Sequence, residues 1–337
     1  MKNWFKDLTG FEETSYTETK SKLAVNGTRL VSTTNGSNWN IGYLETPSLA
    51  ELRGQAEQVM ASTSGELKIS NLVADVHTLH ASLDAKNALI QVASQFNLLE
   101  MISQSVSPEQ GVTRYQDDKT QGPACAIAAG AATMYRNYFA PVGLQVGQTK
   151  EHQINTLADL LSALPGGDEI TMKNGYALAS DETTLETIGD AISNASPSKR
   201  DQWRSLLRIG LHHEVEVTAA GPGCGQLVTQ AFCSALPISY NTVGDADQWE
   251  PFGRLVLEAA YEATLLAGVL NAARNGSSKV YLTLLGGGAF GNERGWILDA
   301  INRAVHIVRD QELDVQIINF RHVGDDMKRL VKFCNQS

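Results

Sequence analysis

With 337 residues, 42% of them hydrophobic and 19% charged, the chain can bury a sizeable core as one large domain or two. Its net charge of −10 repels phosphate backbones and argues against broad nucleic-acid binding. The 4 cysteines, Cys125, Cys224, Cys233 and Cys334, form no C-x-x-C pair, which argues against a zinc site or a disulfide framework and fits a reducing compartment. No apolar run marks a signal peptide or a membrane span, so a cytoplasmic protein is expected, with secretion by a route that reads no such signal left open.

Residues 21–45 alternate as strands, with hairpin turns at Asn26-Gly27 and Asn35-Gly36. A helix is predicted from Pro47 to about Ala61, then a strand over Glu66 to Val73. A short helix from Val76 to Leu83 has Asp75 as its candidate N-cap. Ala88 to Ser94 is a continuous apolar run, the pattern of a central strand. A polar, turn-rich stretch, Ser103 to Gln121, leads into a small-residue helix from Pro123 to about Asn137. Residues 141–213 read as a mostly helical insertion, with helices over Ile154 to Leu164, Glu182 to Ser193 and Lys199 to Ile209. Strands are expected from Glu214 to Thr218 and from Gln226 to Ile238, the second broken at Pro237. A loop then holds Asp245, Asp247 and Trp249, and a long helix runs from Phe252 to Asn275. Strands alternating with helices predict an α/β protein built as a three-layer sandwich.

The most informative stretch comes late. Val280 to Leu285 is a buried-strand pattern, Gly286-Gly287-Gly288-Ala289-Phe290-Gly291-Asn292 is a glycine-rich turn, and a helix pattern follows from Trp296. Glycines let backbone N–H groups approach an anion, and the helix N-terminus adds partial positive charge, so the unit reads as a diphosphate cradle. Gly286, Gly288 and Gly291 also satisfy G-x-G-x-x-G. A dinucleotide-binding domain, however, wants that turn early, with an acid closing the next strand. Here only one more strand can follow, Leu313 to Phe320, and no acid ends it. A purely structural glycine turn is the other alternative.

Asp75-Val76, followed by Ala88 to Ser94 and then Gln95-Phe96-Asn97, resembles the macrodomain family, in which an Asp-Ile turn precedes a strand ending in asparagine. Gly286 to Asn292 is similar to that family's second diphosphate loop. The resemblance covers residues 65–325, interrupted by the insertion. It implies a macrodomain-like α/β/α sandwich with a mixed central sheet at 65–337, behind an N-terminal β-rich extension at 1–64. It also implies an ADP-ribose ligand: Asp75 and Val76 at the adenine, Asn97 by the distal ribose, Gly286 to Asn292 on the diphosphate. Phe320, ending the last strand, stands where this fold often places an adenine-stacking aromatic.

Poly-ADP-ribose glycohydrolases of this fold carry a glycine run and then Gln-Glu-Glu, with a catalytic acid. This chain has Thr120-Gln121-Gly122-Pro123 there: Gln121 matches as a ligand contact, but no glutamate pair follows. Its remaining motifs resemble a divergent branch that includes arginine-specific ADP-ribosyl hydrolases. The resemblance therefore implies removal of mono-ADP-ribose from protein arginine. Alternatives are a non-catalytic reader of ADP-ribosylated proteins, or hydrolysis of poly-ADP-ribose or O-acetyl-ADP-ribose. ADP-ribose and an ADP-ribosylated protein are the expected partners, with no nucleic acid, membrane, cofactor or metal.

Breaking the N-glycosidic bond to arginine passes through an oxocarbenium-like state and calls for two or three carboxylates. The candidates are Asp118 (after Asp117), and Asp245, Asp247, Glu258 and Glu262 before the glycine turn. Glu258 and Glu262 share a helix face. The plainer readings are a solvated turn for Asp117-Asp118, helix capping for Asp245 and Asp247, and solvent exposure for the two glutamates. His77 and His80 are spaced i,i+3 but have no acid cluster beside them, so a metal reading is not adopted.

Overall fold

Short helices α1 (Trp4–Thr9) and α2 (Tyr16–Ser21) start the chain, capped by the side chains of Asn3 and Ser15. This is a computed structural model describing residues 3–336; residues 1, 2 and 337, at the outer ends of the two expected domain ranges, lie outside it. An antiparallel meander follows: β1 (Leu23–Asn26), β2 (Arg29–Ser32) and β3 (Asn38–Asn40). Its first turn is the expected Asn26-Gly27, with Gly27 at φ +59°, where glycine carries no Cβ penalty. The extension is therefore not β alone.

Next come β4 (Tyr43–Glu45) and α3 (Leu49–Met60), whose start is set by a capping box between Ser48 and Glu51. The chain continues through β5 (Lys68–Val73), α4 (Val76–Ala81), β6 (Leu89–Ala93), α5 (Gln121–Ala128) and α6 (Gly130–Tyr138). The single helix predicted from Pro123 to Asn137 breaks at Ala129. At Gly130 a Cβ would lie 2.7 Å from the Trp4 ring, so the break coincides with close packing by α1.

The insertion holds hairpin β7 (Pro141–Val142) and β8 (Gln145–Val146), α7 (Ala158–Ala163), hairpin β9 (Ile170–Lys173) and β10 (Tyr176–Ala179), then α8 (Glu182–Asn194) and α9 (Pro197–Leu206). It is less helical than predicted. Asn174-Gly175, both at positive φ (50° and 80°), turns the β9–β10 hairpin with the same Asn-Gly signal as Asn26-Gly27. The insertion also ends earlier, because β11 (Gly210–Glu216) begins before residue 213. The chain closes with β12 (Leu227–Cys233), α10 (Ala246–Asn275), β13 (Lys279–Leu282), α11 (Arg294–Val308), β14 (Asp314–Asn319) and α12 (Asp325–Cys334).

Seven strands form one mixed sheet in the order β4-β11-β12-β6-β13-β14-β5. From β12 to β5 neighbours run parallel, whereas β11 is antiparallel to β12 and β4. The Leu89–Ala93 strand, apolar except for Gln91, is its centre, as that pattern predicts. One face, with Leu89, Val280 and Val315, packs on α3, α8, α10 and α11. The other, with Ile90, Val92 and Tyr281, packs on α4, α5 and α6. The expected α/β three-layer sandwich with a mixed central sheet is thus the fold. Helix α10 is long and apolar enough to cross a bilayer by composition, but 83% of its most apolar stretch is buried, as suits a core helix.

Candidate functional site

The carboxyl ends of parallel strands β6, β13, β14 and β5 lie in a row along one sheet edge, where ligands bind open α/β sheets. At the centre of that row β6 and β13 part. Their register stops at Tyr281↔Ile90. Ala88 and Ser94 direct their backbone groups to β12, so Gln91 and Ala93 direct theirs towards β13, which no longer meets them. Two glutamine side chains fill the gap. Gln121 accepts from the Ala93 N–H at 2.9 Å and donates to the Gln91 carbonyl at 2.8 Å, while the Gln91 amide accepts from the Thr283 N–H at 3.2 Å. The split opens a cleft of about 730 Å³, counting the open space at its mouth.

The cleft brings together Ala93 to Gln95 at the end of β6, Glu100, Asp118, Thr120 to Pro123, and Gly286, Gly288, Ala289 and Phe290 of the glycine turn. In the turn, Gly286 and Gly291 have φ of +70° and +74°; a Cβ would strike Ala235 from the first and Ser239 from the second. At Gly287 it would meet Ile297 at 2.9 Å, and at Gly288 nothing within 4 Å. Asn292 staples the turn from behind: its N–H donates to the Gly286 carbonyl and its amide to the Leu236 carbonyl at 2.7 Å. The N–H groups of Gly288, Ala289 and Phe290 have no acceptor among the described residues. Phe290 packs against Tyr176 and Tyr240, both at 5.6 Å between ring centres, and the three rings form one wall.

Glu100 is the group that sequence reasoning missed. Its residue is 2% exposed, yet it lines the cleft, and neither carboxylate oxygen accepts a hydrogen bond. Arg136, itself fully enclosed, stands 3.6 Å away. Burial pushes the Glu100 carboxyl up to about 8, outweighing the opposing pull of Arg136. The loop carrying it is tightly held. The Gln95 side chain bonds both backbone groups of Met101, and the Glu100 N–H donates to the Tyr115 hydroxyl at 3.0 Å. One sequence signal existed: an acid within the apolar run Phe96-Asn-Leu-Leu-Glu100-Met.

Several expected site residues are engaged otherwise. Asn97, expected by the ribose, is fully enclosed; its amide donates to Gln153 and accepts from the Leu99 N–H, so it pins the Glu100 loop instead. Gln121 lines the cleft, but its amide is spent on the strand end. Val76 packs into the core. Asp75 caps α4 through the Thr78 N–H at 2.8 Å. It lies at the end of β5, outside the cleft but on the same sheet edge. Phe320 follows β14, between those two places, and is 66% exposed.

The expected acid cluster does not assemble at the cleft. Asp245 is the N-cap of α10, in a capping box with Gln248, and Asp247 lies exposed in the first turn. The helix starts earlier than predicted because that capping box begins it. Glu258 and Glu262 do share a face, but it meets arginines: Arg204 reaches Glu258 at 2.5 Å, and Arg53 and Arg303 each reach Glu262 at 2.5 Å. Of the predicted acids, Asp118 alone lines the cleft, accepting from the Thr120 N–H at 2.8 Å. His80 is enclosed, its ring nitrogens taken by the Val76 carbonyl and Gln230.

The sequence matches no protein-family profile and no curated protein. Among solved structures it is similar to poly(ADP-ribose) glycohydrolase from Deinococcus radiodurans in complex with ADP-ribose. That match is 8% identical, covers 87% of this chain and 95% of that one, and has a TM-score of 0.43. It is also similar to poly(ADP-ribose) glycohydrolase from Thermomonospora curvata bound to the inhibitor ADP-HPD, at 10% identity, 96% of each chain and a TM-score of 0.36. These are likenesses of chain course alone, and the chemistry rests on the cleft's own residues.

Proposed function

We propose that this protein is an ADP-ribosyl glycohydrolase acting on O-linked ADP-ribose, with poly-ADP-ribose as the favoured substrate. The observation that carries the reading is Glu100: an enclosed carboxyl whose oxygens accept no hydrogen bond, lining the same cleft as the glycine turn and raised by burial to about 8. An O-glycoside must expel an alkoxide, which needs a proton as the bond breaks. Arginine-linked ADP-ribose expels a neutral guanidine, which needs none. A carboxylic acid held neutral therefore favours the oxygen linkage, and two of the candidate acids, Glu258 and Glu262, are paired with arginines away from the cleft.

In this reading the diphosphate lies on the free N–H groups of the glycine turn, at the N-terminal end of α11. The adenine extends along the sheet edge towards Phe320 and Asp75. Glu100 gives its proton to the leaving oxygen as the bond to the anomeric carbon breaks. Water adds to that carbon, and Asp118 accepts the water's proton. The test compares ADP-ribose release from poly-ADP-ribose, serine-linked and arginine-linked substrates. Release from the oxygen-linked substrates supports the reading. Release from arginine alone would restore the guanidine linkage, and tight ADP-ribose binding without release from any substrate would make the protein a reader.

A further inference from the structure

The N-terminal segment reaches the residues beside the cleft through Glu13 and Trp4. Glu13, between α1 and α2, takes three donors on one carboxylate: the Val112 N–H at 2.9 Å, the Thr113 N–H at 2.7 Å and the Tyr138 hydroxyl at 2.7 Å. Trp4 adds an indole N–H bond to the Thr113 carbonyl at 3.1 Å. The residues so gripped begin a short 3₁₀ turn, Thr113–Asp117. Within that turn Tyr115 accepts the Glu100 N–H, and the turn ends on Asp118, whose own N–H donates to the Tyr115 carbonyl. One short segment thus seats the first acid and carries the second, and Glu13 holds its start.

The surroundings are shaped around this contact. Gly111 has φ +79°, and a Cβ there would lie 2.3 Å from the Glu13 carboxylate. The same apolar cluster joins Phe5, Phe11, Leu23 and Leu30 of the N-terminal segment to Leu99 and Met101, which flank Glu100, and to Val112 and Tyr115.

From this we infer that Glu13 is a positioning residue for the two cleft acids, setting the height of Glu100 and the aim of Asp118 through the 111–118 segment. The inference rests on the proposed hydrolase reading for its consequence in turnover, but not for its consequence in structure.

Glu13→Gln keeps the shape and replaces one acceptor oxygen with a donor facing an N–H or the tyrosine hydroxyl. The expected result is a kcat lowered about tenfold or more, with KM and ADP-ribose affinity within about threefold of wild type. Two readouts need no turnover: hydrogen exchange at the Asp118 amide should accelerate, and the titration midpoint of the Glu100 carboxyl, followed by carbon NMR, should move. Tyr138→Phe, which removes one donor and leaves two, should give a weaker change of the same kind and serves if the glutamine variant fails to fold. Unchanged Asp118 exchange and Glu100 titration in a folded variant would overturn the inference. A wild-type protein inactive on every substrate would instead overturn the hydrolase reading, while these two readouts still decide the role of Glu13.

Discussion

At the residue scale, placement decides chemistry more than identity does. Glu100 and Glu262 are both enclosed glutamates, yet Glu262 meets two arginines at 2.5 Å whereas Glu100 has one at 3.6 Å and no hydrogen bond. Glu262 is held by ion pairs, whereas burial raises the Glu100 carboxyl, which the proposed mechanism uses as a proton donor. Replacing Glu100 with Gln is expected to lower kcat by about 10²–10⁴ while leaving ADP-ribose binding nearly intact. In the proposed mechanism the acid form is the active one, so wild-type turnover should fall as pH rises through about 8; a pH–rate profile with no alkaline limb there would contradict the assignment. Gly288→Val gives a complementary test of the turn. A Cβ at that position meets nothing within 4 Å, so the fold should survive. ADP-ribose affinity should nonetheless drop about tenfold, roughly 1.4 kcal/mol, readable by calorimetry.

Secondary-structure elements show how local signals can be right about conformation and wrong about function. Asp245 begins α10 in a capping box. Asp245→Ala is therefore expected to cost about 1 kcal/mol of stability, seen in a urea midpoint, with kcat unchanged. A fall in kcat at full stability would return this acid to the chemistry. The alternation of strands and helices was legible because each strand is short, apolar and bounded by turn residues. The Asn174-Gly175 hairpin carries an equally clear turn signal, in the stretch between two predicted helices of the insertion. The glycine turn was legible for a backbone reason: its positive-φ glycines and the crowding around them admit no side chain. What the turn faces was not legible, since the cleft arises from two strands parting, and no local pattern in Leu89–Ala93 or Lys279–Leu282 encodes where a register ends.

For the whole molecule, the buried ionisable groups set opposing pH dependences. Glu100 is neutral when folded up to about 8 and would ionise near 4.5 when unfolded. The native state holds its proton across that window, so this contribution to stability is full below 4.5 and is lost as pH rises to about 8. Glu100→Gln removes the liability, and its stability relative to wild type should grow between pH 5 and pH 9 in urea melts. Enclosed His80 is pushed down to about 4, and His212 is also lowered, both by burial. The neutral form of His80 stabilises the fold above about 6.5, a contribution lost as pH falls towards 4; His212 acts in the same direction. The same compactness makes the N-terminal segment part of the site, since its apolar residues share one core with those flanking Glu100.

From the chain alone came the α/β class, the positions of most sheet strands along the chain and the glycine turn, because each follows from side-chain period, turn chemistry or local backbone restriction. The tertiary structure alone decided which carboxyl is desolvated, which acids are neutralised by arginines, and that Glu13 touches residues about 100 positions away. Desolvation and ion pairing depend on neighbours brought together by the fold, and separations of that length leave no trace in local sequence pattern.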